Sequence, residues 1–380
     1  MNTPKYSKYF LALFFSLALI LTACAAPAAT TAPTAAAAEP TQVAPTAASP
    51  TMPAAAEPAG LTVMTHDSFS VSEDVIAAFE QQNNVKVTFL KSGDTGAALN
   101  RAILSKDAPI ADVFYGTDNT FLSRALEAGI FESYASPLLV TIPQEFKLDP
   151  DNYVLPVDYG DVCINYDKAY FEDKNLPVPQ TLEDLLQPEY RGLLVVENPA
   201  TSSPGLAFLL ATIAHYDPDG YVDYWKSLRQ NDVVVVSDWE TAYYTNFSAS
   251  SGQGPQPMAV SYGSSPAVEV VYAEKPLDDS PTASIVGPDT CFRQVEFVGI
   301  LKGTQQRALA EKFVDFMLSV PFQEDIPLQM FVYPVNPEAK LPDVFVKYAQ
   351  IPEQPARVDP AEIAANREAW IEAWDEAVLR

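Results

Sequence analysis

The chain has 380 residues, 48% of them hydrophobic, and carries a formal net charge of −26. Such acidity argues against nucleic acid and anionic lipid as partners, since both require a basic surface, and it favours a neutral or cationic ligand. The length after residue 60 is enough for two lobes, each with its own core, and no internal repeat is evident.

Lys5 and Lys8 precede an apolar run over residues 9–21 that ends in Leu21-Thr22-Ala23-Cys24. The run is short for a bilayer span and has the basic, apolar and small-residue order of a signal peptide. A small residue directly before Cys24 matches a lipoprotein cleavage site, so residues 1–23 read as a leader and the Cys24 thiol as the lipidated position. Two or more acyl chains there would make a stable anchor to the outer face of a membrane. The competing reading is an ordinary secretory leader with an incidental cysteine. Residues 24–60, rich in Ala, Pro and Thr with no aromatic residue, read as a disordered tether and a candidate for O-glycosylation. Lys5, Lys8, Glu39 and Glu57 cancel, so the net charge falls on the rest of the chain.

From Leu61 the pattern alternates. Leu61-Thr62-Val63-Met64-Thr65-His66 predicts a strand, and Val75, Ile76 and Phe79 then mark a helix face, with Ser70 and Glu73 spaced as a capping box. Val85-Lys86-Val87-Thr88-Phe89-Leu90 predicts a second strand and residues 97–105 a helix. Ala111-Asp112-Val113-Phe114-Tyr115 predicts a third strand, before a helix through Leu122 and Leu126. The order is that of an α/β chain with a parallel sheet and helical crossovers. Ligands of such sheets sit beyond the carboxyl ends of the strands. His66, Asp67 and Ser68 follow the first strand, Asp94 and Thr95 the second, Asp118 and Asn119 the third, and together they nominate one crevice. Each taken singly can equally be a helix cap.

The middle of the chain continues the pattern. Pro156-Val157-Asp158-Tyr159-Gly160 leads into the strand Val162-Cys163-Ile164-Asn165-Tyr166 and marks a crossing into a second lobe. Leu193-Leu194-Val195-Val196 is a buried strand that runs into Thr201, Ser202 and Ser203 ahead of an apolar helix over residues 206–213. Hydroxyls at a helix start form an oxygen or anion cradle, or simply cap the helix. Val233-Val234-Val235-Val236 and Met258-Ala259-Val260-Ser261-Tyr262 follow, placing Trp239 and Tyr262 at strand exits with Ser264 beyond. Trp370 and Trp374 share the face of a terminal helix with Ile363, Ile371 and Val378, and Asp359, Pro360 and Glu362 start it; these tryptophans read as core, as do Phe313, Phe316 and Met317. Trp225 fits either role, and His215 lies at an apolar helix end.

Residues 61–380 resemble, in collinear order, the thiamine-binding lipoproteins and periplasmic proteins that serve thiamine ABC importers, within the type II extracellular solute-binding proteins. The resemblance rests on Leu61-Thr62-Val63 with Asp67-Ser68-Phe69, Leu99-Asn100-Arg101, Gly116-Thr117-Asp118-Asn119, Asp158-Tyr159-Gly160 and Thr201-Ser202-Ser203-Pro204-Gly205-Leu206. Gln294-Val295-Glu296, Tyr333-Pro334-Val335 and Arg367 with Trp370 extend it to the terminus. It implies a two-lobed clamshell, each lobe a mixed sheet flanked by helices, with lobe 1 from residues 61–157 and 293–380 and lobe 2 from 158–292. It further implies capture, without chemistry, of thiamine, a thiamine phosphate or a related precursor. The ligand-binding residues so implied or nominated are His66, Asp67, Ser68, Asp94, Thr95, Asp118, Asn119 and Tyr159 from one side. Thr201, Ser202, Ser203, Trp239, Tyr262, Ser264, Phe331 and Tyr333 complete the set. Hinges would lie near residues 158–163 and 291–296. No cofactor is expected, the molecule is expected to be a monomer, and with no phosphate-loop motif any ATP hydrolysis belongs to the ATPase subunit of a partner permease. The pattern departs from enterobacterial members at His66 and Val268, where they carry Tyr, and at Phe331, where they carry Trp.

Cys163 and Cys291 are the only cysteines of the folded part, and two inter-lobe strands running side by side would join them in a disulfide. Two rival functions have chemical support. Tyr243-Tyr244, with His66 and Glu269, offers hard oxygen ligands to ferric iron in a receptor of the same fold. A thiaminase I-like enzyme would use Cys163 as nucleophile and Glu296 as base, which a disulfide would preclude.

Overall fold

The computed structural model describes residues 57–251 and 254–380, so Cys24 and the leader lie outside the described residues. Eleven strands form one sheet: β1 (Ala59–Thr65), β2 (Val85–Lys91), β3 (Val113–Asp118), β4 (Phe131–Glu132), β5 (Leu155–Asp167), β6 (Leu194–Glu197), β7 (Val234–Val236), β8 (Met258–Tyr262), β9 (Thr282–Ile285), β10 (Phe292–Leu301) and β11 (Tyr333–Pro334). Their path is β2-β1-β3-β10-β5-β8-β6-β7, with β11 and β9 on β5 and β4 on β10. The first three strands are parallel, as the alternation predicts. Edge strand β2 exposes Lys86 and buries Val85 and Val87, whereas β3 is buried throughout because it lies inside the sheet. β1 begins at Ala59, so the last two residues assigned to the tether are already paired, Ala59 with Val85 and Gly60 with Lys86.

β5 and β10 run antiparallel through the centre, opposing Glu296 to Asp158 and Gln294 to Gly160. β10 also pairs with β3, and the far end of β5 pairs with β8 and β9, so these two long strands pass from one half of the sheet into the other. Phe292 opposes Val162 in this ladder, which sets the next residues, Cys291 and Cys163, side by side. Their Cα atoms are 4.3 Å apart and a disulfide joins them.

One core packs Leu61, Val63, Phe79, Phe313 and Met317 beneath the parallel strands. A larger one carries the helix Ser203–Gln230, whose Trp225 is buried and donates from Nε1 to Thr212 Oγ1 at 2.9 Å. Trp225 is thus core. Trp374 meets it edge-on at 5.5 Å, and Trp370 is buried beside Tyr221, so the terminal helix Pro360–Val378 lies against Ser203–Gln230. Arg367 of the same helix sits 5.1 Å over the ring of Phe121, at the start of the helix that follows β3.

The capping box at Ser70 does not form. Ser72 takes the N-cap position of the helix Glu73–Asn83, and the Ser70 hydroxyl donates instead to Gln329 Oε1 at 3.1 Å. Ser72 itself binds Asp325 through backbone and hydroxyl, a long-range contact invisible to local spacing. His215 ends its apolar run between Glu183, at 2.8 Å, and Asp289, at 3.4 Å.

The disulfide closes 128 residues of chain, so breaking it should cost about 2–4 kcal/mol. Cys163→Ser, or reduction, is expected to lower the urea midpoint with little change in slope. An unchanged midpoint would show that the bridge contributes no stability.

Candidate functional site

A cavity of about 520 Å³ opens where the predicted crevice lies, and both halves of the sheet line it. The turn after β1 supplies His66, Asp67 and Ser68, and that after β2 supplies Asp94 and Thr95. From the other half come Ser203 at a helix start, Trp239 after β7 and Tyr262 at the end of β8, with Phe331 entering just before β11.

The floor is polar. His66 is buried, and Gly116, at φ +109, lies so close under its ring that any Cβ there would collide with it. Burial depresses the imidazole to about 4, helped by nearby Lys91, so it is neutral at physiological pH. Its Nε2 lies 3.5 Å from Glu296 Oε1. Behind Glu296, the Tyr115 hydroxyl is 2.6 Å from Asp158 Oδ2 and 3.0 Å from Glu296 Oε2, and Asp158 Oδ1 has no hydrogen-bond partner among the described residues. Burial pushes Asp158 up to about 6 and Glu296 well above the carboxylate range, and the Asp158 and Asp118 carboxylates further oppose ionisation of Glu296. No Lys or Arg forms an ion pair with either among the described residues. Two buried carboxyls in such contact share a proton or require a cation.

Asp94 spans the two halves. Its carboxylate accepts from its own helix start at Thr95 N, 2.7 Å, and from Trp239 N across the cleft, 3.1 Å. The Ser202 hydroxyl also favours its ionised form, while burial raises its pKa. Gly96 N donates to Thr201 O at 3.0 Å, and Ser203 Oγ donates to Thr95 Oγ1 at 3.2 Å. A Cβ on Gly96 would lie 2.7 Å from Ala200 O, so glycine is what permits this approach.

Aromatic rings form the wall. Trp239 stacks on Tyr243 at 5.2 Å and 13°, meets Tyr262 edge-on at 6.4 Å, and donates from Nε1 to Ser261 Oγ at 2.9 Å. Tyr262 lies over Gly160, where a Cβ would come within 2.7 Å of the ring. Tyr244 lines the cavity and is 47% exposed, whereas Tyr243 is fully buried and donates to Glu269 Oε1 at 2.7 Å.

Several predicted residues lie elsewhere. Tyr159 points away because side chains alternate along a strand: Asp158 and Gly160 face the site, so Tyr159 stacks between Phe146, at 4.7 Å, and Tyr333, at 5.3 Å. Tyr333 pairs with it in register and shares that face. β3 runs to Asp118, three residues past the predicted end, so Asp118 is buried and holds the turn before the next helix, accepting from Thr120 and Phe121, and is bonded by Gln294. Asn119 bridges the β10 backbone at Arg293 O and Val295 N. Thr201 donates to Ser237 O at 2.6 Å, Ser202 stands behind Asp94, and the Ser264 hydroxyl donates to Phe331 O. These seven support the cavity and do not line it.

Other lining residues fall outside the nominated set. Glu240, Glu269 and Glu296 add carboxylates against a single basic residue, Lys91, and Val268 lines the cavity too. Glu296 was legible as an acid set between the apolar Val295 and Phe297, an arrangement that rarely survives without a role.

The family model for bacterial extracellular solute-binding proteins matches residues 108–353. The thiamine-binding periplasmic protein of Escherichia coli (strain K12) is 32% identical over 335 residues, 87% of this chain and 96% of its own. That of Brucella suis biovar 1 is 31% identical over 337 residues, 86% and 95% of the two chains. A solved periplasmic thiamin binding protein superposes with TM-score 0.75 at 30% identity, covering 84% and 96%. The ferric binding protein of Campylobacter jejuni, at 18% identity and TM-score 0.67 over 83% and 99%, shares the fold. With most of its length matched in sequence and in architecture, the chain belongs to the bacterial extracellular solute-binding protein family, whose fold is a two-lobed binding protein.

Proposed function

We propose that this protein captures thiamine, or a thiamine phosphate or close precursor, outside the cytoplasm and delivers it to an ABC permease whose separate subunit hydrolyses ATP. The observation that carries the reading is the cavity's composition: aromatic faces from Trp239, Tyr244 and Tyr262 beside carboxylates, with one basic residue. Thiamine offers a flat aminopyrimidine and a cationic thiazolium, and ring faces attract such a cation by about 0.5–2 kcal/mol each. The similarity to thiamine-binding relatives across most of both chains supports the same ligand class.

In this reading residues 61–157 with 293–380 form one lobe and 158–292 the other, and the paired β5 and β10 are the hinge. The Asp94–Trp239 and Gly96–Thr201 bonds belong to the closed form. Capture occurs without chemistry by a monomer, tethered through lipidated Cys24. The thiaminase reading loses its nucleophile because Cys163 is in a disulfide. The ferric reading needs two phenolates, yet Tyr243 is buried and bound to Glu269, and only Tyr244 lines the cavity.

Calorimetry on ligand-stripped protein is expected to give one thiamine per chain, with Trp239→Ala weakening it about tenfold. Failure of the parent protein to bind thiamine or its phosphates would overturn the proposal.

A pH dependence follows from the raised carboxyls. Asp158 titrates near 6 in the folded chain against 3.8 ordinarily, so the folded state holds more protons between those values. The Asp158 contribution to stability without ligand should therefore be fully present below about 4 and lost as pH rises to about 6, while His66, held down to about 4 against 6.5 ordinarily, contributes with the opposite sign over the same range. Thiamine affinity should rise with pH, since a positively charged ligand that also carries an amine donor favours ionised Asp158 and Glu296. Melting curves and calorimetry in buffers of different ionisation enthalpy measure both, and Asp158→Asn should remove the Asp158 part of each profile.

A further inference from the structure

The floor of the cavity holds two polar groups that the fold leaves unused. His66 Nδ1 lies 3.0 Å from the Ser68 hydroxyl, but Nε2 has no hydrogen-bond partner among the described residues. Glu296 accepts from Tyr115 on Oε2, and its other oxygen, Oε1, lies beside that nitrogen at 3.5 Å. Both side chains are at least nine-tenths buried and both line the cavity. A polar nitrogen held this deep without a partner is uncommon, and it signals an absent one.

The placement is built by the surroundings. Gly116 lets the imidazole lie against bare backbone, and the Tyr115 ring packs 5.6 Å from it. A neutral imidazole carries one N–H and one lone pair. In the tautomer where the Ser68 hydroxyl donates to Nδ1, the N–H resides on Nε2, in the floor of the cavity beside a carboxyl oxygen of Glu296. The two groups thus present a donor and an acceptor side by side.

We infer that His66 and Glu296 read one edge of a flat, amino-substituted nitrogen heterocycle: Nε2–H donates to a ring nitrogen while Glu296 Oε1 accepts from the adjacent exocyclic amine. This rests on the vitamin reading above and adds the ligand's orientation. The aminopyrimidine goes inward, and the cationic ring faces Trp239, Tyr244 and Glu269 nearer the opening. A ligand with an oxo group in place of the amine would set oxygen against carboxylate and ring N–H against Nε2–H, two repulsive contacts in place of two attractive ones.

Oxythiamine, which differs from thiamine in that one substituent, is the probe. Calorimetry on the parent protein is expected to give at least about tenfold weaker binding of oxythiamine than of thiamine. Glu296→Gln, whose amide can donate to the oxo oxygen, should narrow or invert that ratio, and His66→Phe, which keeps a flat ring, should weaken thiamine and narrow the ratio. Equal affinity of the parent protein for both compounds would overturn this inference and leave the vitamin reading standing. Binding of neither compound would overturn the vitamin reading itself. Should Glu296→Gln lose its native circular dichroism, the ratio in the parent protein and in His66→Phe decides.

Discussion

Asp158 and Glu296 oppose each other across the β5–β10 ladder, two buried acids with the Tyr115 hydroxyl between them and no Lys or Arg partner among the described residues. Burying a carboxylate without a counter-charge is costly, and two together are worse. The protein tolerates this where its two long strands cross from one half of the sheet to the other. The unfavourable charge is relieved by a retained proton in the empty protein. The acids of the candidate site therefore lie on the two strands that join the halves of the sheet.

The remaining features follow from that constraint. A cavity floored by acids and containing only Lys91 as a base presents a poor site for an uncompensated anion and a good one for a cation. Rings from Trp239 and Tyr262 add attraction that survives removal of water. Trp239 is held on three sides, by Tyr243 stacking, the Ser261 hydroxyl and the Asp94 carboxylate at its backbone. The last of these reaches across the cleft, so one contact both joins the halves and holds the ring's backbone. The Cys163–Cys291 bridge lies five residues from each acid and ties the same two strands together, limiting how they can separate.

The parallel strands, the central crossing and the paired cysteines were legible because each rests on local period or on simple counting. So were His66, Asp67, Ser68, Asp94 and Trp239, which stand at strand exits where the topology directs side chains into the crevice. Tyr159 and Tyr333 were misplaced because a strand's facing depends on its register with its neighbours, and one residue's shift reverses it. Asp118 was misplaced because β3 runs longer than its apolar stretch. Ser70 could not be seen to prefer Gln329, which lies 259 positions away.

What the sequence determined by itself was the alternation of strand and helix, an anionic body unsuited to polyanions, and the residue types available to a cationic aromatic ligand. Those are properties of composition and short-range period, and they hold wherever the segments end up. Only the tertiary structure decided which acids lose their solvent, which phenol faces the cavity and which is committed to Glu269, and that His66 Nε2 is left without a hydrogen-bond partner among the described residues. Burial and proximity between residues far apart in the chain set those outcomes, because desolvation and charge coupling act through space and leave no local signature.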